Sequence, residues 1–394
     1  MQQSSSEFSA ARYARQLSLP GFGVDGQRSL ARARVLVIGA GGLGSVVLPP
    51  LAAAGVGTIG IIDDDIVETS NLHRQYIHST ADVGALKVSS AAASLRALNP
   101  DTTVIEFAER LTAANALHLF GQFDLIIDGS DNFPTRYLAN DAAALSGLPL
   151  VWGAVSQYAG QAGVSWAGHG PQYRDLFPEP PAPGTVLSCA IGGVLPTVCA
   201  VIGSILATEA IKILTRIGEP LLGRVTTFDA LTGRFRELSY AADPTAAPVT
   251  ELIDYDLFCG IPAANPESAS AASGSEATVA ATLSDTVTPS ELAHTLEAAS
   301  TTHLTLLDVR EPWEVAIAAL PGAVVIPLGS LDRALEDGTT GLDQQDPVIV
   351  YCHHGVRSAT ALDMLVRHGF TSAQHLAGGI DAYSRSVDPS LERY

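Results

Sequence analysis

The sequence predicts an α/β protein, a doubly wound and mostly parallel sheet followed by a second, smaller α/β domain. Three observations carry this. Short apolar runs alternate with helical patterns from Val35 to Trp152. A stretch rich in small residues and free of aromatics, 263–285, then divides the chain. Beyond it the alternation of strands and helices starts again. The 394 residues suit about two to three domains with sizeable cores.

Taken in order, residues 8–34 read as helical, polar and locally basic through Arg12, Arg15 and Arg28. Strands are expected at 35–38 and 58–62, with a helix at about 43–54 between them. A helix at about 84–98 ends at Asn99-Pro100, and Val104-Ile105 and 125–127 are further strands. A helix over about 134–146 leads to a strand at 150–152. Prolines make 171–184 an extended loop. The uncharged run from Pro180 to Thr208 mimics a membrane span, but prolines and Gly192-Gly193 break it, leaving a buried core helix over 194–214. Residues 225–229 and 235–240 pair around Leu231-Thr232-Gly233. After the break come helices at 289–299 and 358–368 and strands at 304–307, 323–326 and 348–351. The domains expected are therefore 1–262 and 286–394, joined by a flexible linker over 263–285.

Composition excludes several classes. A net charge of −19 argues against direct nucleic-acid binding. The N-terminus has no apolar core of a signal peptide, so the chain reads as cytoplasmic, without membrane attachment. Four separated cysteines with no Cys-x-x-Cys make neither a disulfide framework nor a four-cysteine zinc site.

The chemistry begins at Val35–Gly44, VLVIGAGGLG. An apolar strand, a turn containing Gly39, Gly41, Gly42 and Gly44, and a following helix let backbone N–H groups approach phosphate. Asp63, at the end of the next strand, is placed for ribose hydroxyls. The glycines alone also fit a nicotinamide site. Ser70-Asn71-Leu72-His73-Arg74 favours a triphosphate instead, because a guanidinium forks onto phosphate oxygens. Lys87 opens a helix in a chain with one other lysine, Lys212. Asp131 and Asn132, in Gly129-Ser130-Asp131-Asn132, follow a strand end, where an acid can hold Mg²⁺. Each residue alone has a plain reading as a turn, ion pair or cap. Their order within one βαβ frame points to ATP.

These motifs, over about residues 8–262, resemble the ubiquitin-activating-enzyme-like adenylyltransferases of the MoeB/ThiF family. The segment Arg12-Tyr13-Ala14-Arg15-Gln16 is similar to that family's N-terminal arm. The resemblance implies a Rossmann-like domain that adenylates the C-terminal Gly-Gly carboxylate of a ubiquitin-like sulfur carrier protein. It implies a homodimer in which Arg15 reaches the partner subunit's site. It also assigns Asp63 to ribose, Asn71, Arg74 and Lys87 to the phosphates, and Asp131 to Mg²⁺. The family often has two Cys-x-x-Cys pairs holding zinc. This chain has Gln172-Tyr173-Arg174-Asp175 at the first and only Cys259 near the second, so no zinc is expected. Cys189, in a small-residue loop, reads either as a buried residue or, by the resemblance, as a thiol taking or resolving the activated acyl group. Cys199 reads as packing.

Cys352 follows a strand and opens the loop Cys352-His353-His354-Gly355-Val356-Arg357. A thiol at a helix N-terminus beside Arg357 should ionise readily. A phosphatase loop has five residues between its cysteine and arginine. Four intervene here, a cradle better matched to one sulfur atom. With Asp308-Val309-Arg310-Glu311, Pro321-Gly322-Ala323 and Gly378-Gly379, this loop resembles single-domain rhodaneses over about 286–392, which implies a persulfide on Cys352. Leu320 stands where a histidine is common, a change expected to affect packing, and Arg310 reads equally as a structural ion pair.

The fusion matches the MoeZ-type adenylyltransferase/sulfurtransferases. The expected sequence is ATP- and Mg²⁺-dependent adenylation of the carrier, then sulfur transfer from the Cys352 persulfide to give a thiocarboxylate, with thiosulfate or a cysteine desulfurase as donor. Molybdopterin, thiamin, cysteine and tRNA-thiolation pathways all use such carriers. Three alternatives stay open: an NAD-dependent oxidoreductase on the same glycines, a carrier-activating enzyme with the rhodanese as a docking module, and a persulfide sensor.

Overall fold

The structure is a computed structural model describing residues 8–181, 192–260, 286–298 and 304–393. The chain divides into two compact units, Met1–Pro266 and Glu267–Tyr394.

Eight strands of the first unit form one sheet: β1 (Arg34–Ile38), β2 (Thr58–Ile62), β3 (Thr103–Phe107), β4 (Leu125–Asp128), β5 (Leu150–Ser156), β6 (Ala159–Ser165), β7 (Arg224–Asp229) and β8 (Arg234–Ser239). Their order is β3-β2-β1-β4-β5-β6-β7-β8. The first five run parallel and the rest antiparallel. Four of the five residues of β1 are buried, and all four of β4, because helices cover both faces. One face packs the helix Gly44–Ala54 and the helix Pro196–Thr215 through Val47, Leu51, Ile202 and Leu206. The other packs Phe133–Ser146 through Tyr137, Leu138 and Ala142. The Pro196–Thr215 helix is apolar and long enough to cross a membrane, yet Val198, Ile202, Leu206 and Ala210 lie fully buried in this core.

Within the first unit, several elements differ from the sequence reading. The helix expected from about 84 starts at Lys87, because Leu86 is extended and bridges Ile66. The 171–184 loop contains a single helical turn, Tyr173–Leu176, and its residues 182–184 lie outside the described ones. β6 lacks an apolar run but pairs on both sides.

The second unit holds a five-stranded parallel sheet. Its strands are β9 (Thr286–Val287), β10 (Thr305–Asp308), β11 (Val324–Val325), β12 (Val348–Tyr351) and β13 (Ala373–Leu376), in the order β11-β10-β12-β13-β9. Leu292, Leu306, Ile349, Tyr351, Leu376 and Ile380 form its core. Leu320 is buried there, consistent with packing, and its N–H donates to the Tyr351 hydroxyl at 3.2 Å. Linker positions 263–285 lie outside the described residues.

Candidate active sites

The strand order reverses between β1 and β4, since the chain leaves β1 toward β2 and β3 and returns to β4 on the other side. Ligands of open α/β sheets bind at such a point, beyond the carboxyl ends of the strands. A cleft of about 1410 Å³ opens there, lined by Gly39, Gly41, Gly42, Asp63, Asn71, Arg74, Lys87, Asp131 and Asn132. These sequence-predicted residues are thus brought together.

Backbone sterics shape its floor. Gly39 adopts φ +87°, and a Cβ at Gly44 would collide with the Gly39 carbonyl. Gly44 therefore closes the turn from behind and does not line the cleft. Asp63 holds the loop from the neighbouring strand end: Oδ2 accepts the Ala40 N–H at 2.7 Å and Oδ1 the Asp65 N–H at 2.8 Å. Burial raises the Asp63 pKa, and these two N–H groups counter that rise.

The 3₁₀ turn Thr69–Asn71 sets the next wall. Asn71, Arg74 and Gln75 line the cleft, whereas Ser70, Leu72 and His73 do not. Helical turns put residues three and four apart on one face, which is why, of the expected run 70–74, residues 71 and 74 face the cleft together with Gln75. Ser70 supports Arg74 instead, accepting from Nη1 at 3.0 Å on its carbonyl. The Asn71 side chain accepts the Glu68 N–H at 3.1 Å. Lys87 is buried, and its ammonium pairs with the exposed Asp65 at 2.7 Å. Asn132 caps the Phe133–Ser146 helix through the Thr135 N–H at 2.9 Å, and exposed Asp131 stands beside it.

Two residues here escaped the sequence reading. His78 is buried, with Nε2 3.0 Å from the Ala40 carbonyl and Nδ1 2.8 Å from the Ser90 hydroxyl. A carbonyl only accepts, which fixes the proton on Nε2, and burial lowers the ring's pKa. Arg136 is buried beneath Ser130, donating to its carbonyl at 3.1 Å and lying 3.8 Å from fully buried Asp128. Burial raises the Asp128 pKa. Inside this region Gln75 Oε1, Asp128 Oδ2, Ser130 Oγ and Arg136 Nε have no hydrogen-bond partner among the described residues. Asp128 Oδ2 and Arg136 Nε face each other as an ion pair at 3.8 Å, whereas Gln75 Oε1 and Ser130 Oγ, beside the glycine floor, are left for a ligand, which fits a polyphosphate with its cation.

Other predicted residues sit elsewhere. Arg15 is on the Ala10–Leu17 helix and does not line the cleft. Cys189 lies outside the described residues. Cys199 is fully buried, as packing requires, and also lines the cleft beneath Gly42.

Where the related family places zinc, the residues make another contact. Arg174 forks onto Asp141 with two bonds of 2.7 Å, and the Tyr255 hydroxyl donates to the same carboxylate at 2.7 Å. The guanidinium lies 4.9 Å from the ring centre of Tyr137 and 4.8 Å from that of Phe258. Cys259 packs in the same apolar cluster, where burial pushes its thiol pKa up. This set does not supply the four ligands tetrahedral zinc takes.

In the second unit, Cys352 follows β12 and is 1% exposed. Its Sγ accepts the N–H groups of Gly355 at 3.1 Å and Ser358 at 3.3 Å, at the start of the helix Val356–Arg367. Arg357 is turned to Glu314, which it grips through two bonds of 2.6 Å. The cation expected beside the thiol is thus largely offset by a buried carboxylate. His353 and His354 stack at 3.9 Å, and burial, then His354, lowers the His353 pKa to about 4. Arg310 proves structural: it is fully buried, bonded to Asp308 and to the Ala318 carbonyl.

Comparison with known proteins finds two families in the chain. The ThiF family matches residues 13–249 and the rhodanese-like domain residues 288–386. A probable adenylyltransferase/sulfurtransferase MoeZ of Mycobacterium tuberculosis is 49% identical over 98% of this chain and 95% of its own length. The adenylyltransferase and sulfurtransferase MOCS3 of Sus scrofa is 40% identical, over 97% and 87%. A sulfur carrier protein adenylyltransferase of Thermus thermophilus is 50% identical, covering 64% of this chain and 96% of its own. The crystal structure of E. coli MccB with ATP shares the fold, at TM-score 0.54 and 22% identity over 62% of this chain and 76% of that one. The glycine-floored cleft, the cysteine cradle and these similarities together make the chain a member of the ThiF family that carries a rhodanese-like domain, an enzyme of the adenylyltransferase/sulfurtransferase type.

Proposed function

We propose that the chain adenylates the C-terminal Gly-Gly carboxylate of a ubiquitin-like sulfur carrier with ATP, and that Cys352, as a persulfide, then converts the acyl-adenylate to a thiocarboxylate. One observation carries the reading: Asn71, Arg74 and Lys87 line the same cleft as the glycine loop and Asp63. That cleft continues along Ala154, Gln161, Thr227 and Arg236 on β5 to β8, leaving room beyond a nucleotide for an extended tail.

A carboxylate is already ionised at neutral pH, so the first step needs no base. It needs two anions brought together. Arg74, held from behind by Ser70, and Lys87, steadied by Asp65, offset the phosphate charge, while the glycine floor and Asp63 fix the nucleotide's position. Asp131 would hold Mg²⁺, which when bound draws charge from the phosphates. The carrier's oxygen bonds to the α-phosphorus and pyrophosphate leaves. The terminal sulfur of the Cys352 persulfide next attacks the acyl carbon, and AMP leaves with its electron pair. A second thiol breaks the resulting acyl disulfide at the Cys352 sulfur and frees the thiocarboxylate, forming a cysteine disulfide that a dithiol reductant reopens. Cys189 is our candidate for that thiol, and Arg15 for a contribution across a homodimer. We place the process in the cytoplasm, with 263–285 as the tether between the domains.

Exchange of labelled pyrophosphate into ATP tests the first step. A carrier ending in Gly-Gly should support exchange, and one lacking its last glycine should not. Exchange without a carrier would sink the reading.

A further inference from the structure

Cys352 has to lose a proton before it accepts sulfur, yet the residue is 1% exposed. Bulk water is a poor first acceptor there. The polar neighbours of Sγ offer one internal route. Sγ lies 3.6 Å from the hydroxyl of Ser358, which is itself fully buried. On the far side of that hydroxyl, 3.5 Å away, is Nδ1 of His375. His375 sits on β13, directly across from Val350 of β12 and from Thr286 of β9. Its other nitrogen, Nε2, is 3.2 Å from the Thr286 hydroxyl. A proton on Nε2, donated to Thr286, leaves the Nδ1 lone pair facing Ser358.

We propose that His375 takes the Cys352 proton through Ser358, and so acts as a positioning and proton-accepting residue for the sulfur-bearing thiol. The step balances. The S–H proton passes to Ser358 Oγ while the hydroxyl proton passes to His375 Nδ1, so a neutral pair becomes a thiolate and an imidazolium. The thiolate keeps the Gly355 and Ser358 N–H groups, the original Ser358 hydroxyl proton turns from the Gly355 carbonyl, 3.0 Å away, to Nδ1, and the proton taken from sulfur stays on Oγ facing the thiolate. Long hydrogen bonds of this kind in a resting site tighten when charge develops. The other charged groups around the loop are paired. Glu314 holds Arg357, and Asp381 holds Arg385 and Arg393 with His354 at 3.6 Å. His353 and His354, stacked on each other, stay in place in every variant below.

The inference rests on Cys352 as the sulfur-bearing thiol, but its test does not need sulfur transfer. The rate of Cys352 alkylation by iodoacetamide, read by peptide mass spectrometry on the full chain, is followed against pH. His375→Ala and Ser358→Ala should each raise the apparent pKa of Cys352 by about one unit, a roughly tenfold slower reaction near neutrality. The double variant should shift it no further than either alone. His375→Gln keeps a hydrogen-bonding side chain without a titratable nitrogen and should behave as the alanine variant. A wild-type profile in His375→Gln overturns the relay and leaves the ring a structural role. If Ser358→Ala does not fold, the half-buried His375 variants decide alone. One-sulfur mass gain from thiosulfate, lost in Cys352→Ala, tests the underlying assignment separately.

Discussion

In the cleft of the first unit the polar groups are charged and polar side chains from the connections that follow β2 and β4, over a backbone floor made by the glycine loop after β1. In the cradle of the second unit they are mainly backbone N–H groups from one loop, closed around a single atom. Both stand where a parallel strand hands over to a helix. The size of what must be held explains the difference. A triphosphate spreads its charge over many oxygens, so cations have to be dispersed and the pocket open. One sulfur needs a short ring of donors and little space, and side-chain charge nearby can be offset, as Glu314 does for Arg357.

This division predicts that the two chemistries separate under mutation. The largest effect is expected from Cys352→Ala, with complete loss of the one-sulfur mass gain and carrier-dependent pyrophosphate exchange kept within about twofold. A matching loss of exchange would show that the cradle also serves activation. Arg74→Ala or Asp131→Ala should do the reverse, lowering exchange by about 10²- to 10³-fold while sulfur loading proceeds.

Side-chain sites are also the more legible in sequence. Asp63, Asn71, Arg74, Lys87 and Asp131 are chemically distinctive residues in a fixed order, and apolar runs such as Val35–Ile38 mark buried strands directly. What stayed hidden depended on partners far along the chain. β6 reads Ala-Gly-Gln-Ala-Gly-Val-Ser, with no strand signature. Its glycines are there because a Cβ at Gly160 would stand 2.5 Å from Ile202 and one at Gly163 2.6 Å from Trp152. Arg136 carries no local signal of its place: only the fold lays it under Ser130. His375 belongs to a short strand not foreseen, and its approach to Ser358 exists only through β-pairing.

Smaller effects sharpen the comparison within each unit. Arg174→Ala leaves the buried Asp141 carboxylate without its bidentate partner and should cost the first unit about 3 kcal/mol in urea unfolding, with sulfur loading unaffected. His353 adds a gentler, pH-dependent term to the second. Its pKa falls to about 4 in the folded unit from 6.5. The unfolded chain therefore binds the proton first, and the stability this ring contributes is full above about pH 6.5 and drains away as pH falls toward 4. His353→Gln should flatten that slope in the urea midpoint of the second unit, and an unchanged slope would place the titration elsewhere.

The Arg174–Asp141–Tyr255 contact has a consequence for how this enzyme ages in a cell. A thiolate–metal clasp at such a position falls apart when oxidants or chelators reach it, and the fold goes with it. A guanidinium, a carboxylate and a phenol have no comparable oxidation state to lose and compete with no other protein for scarce metal. Oxidative injury to the thiols near this region would leave its guanidinium–carboxylate–phenol clasp intact.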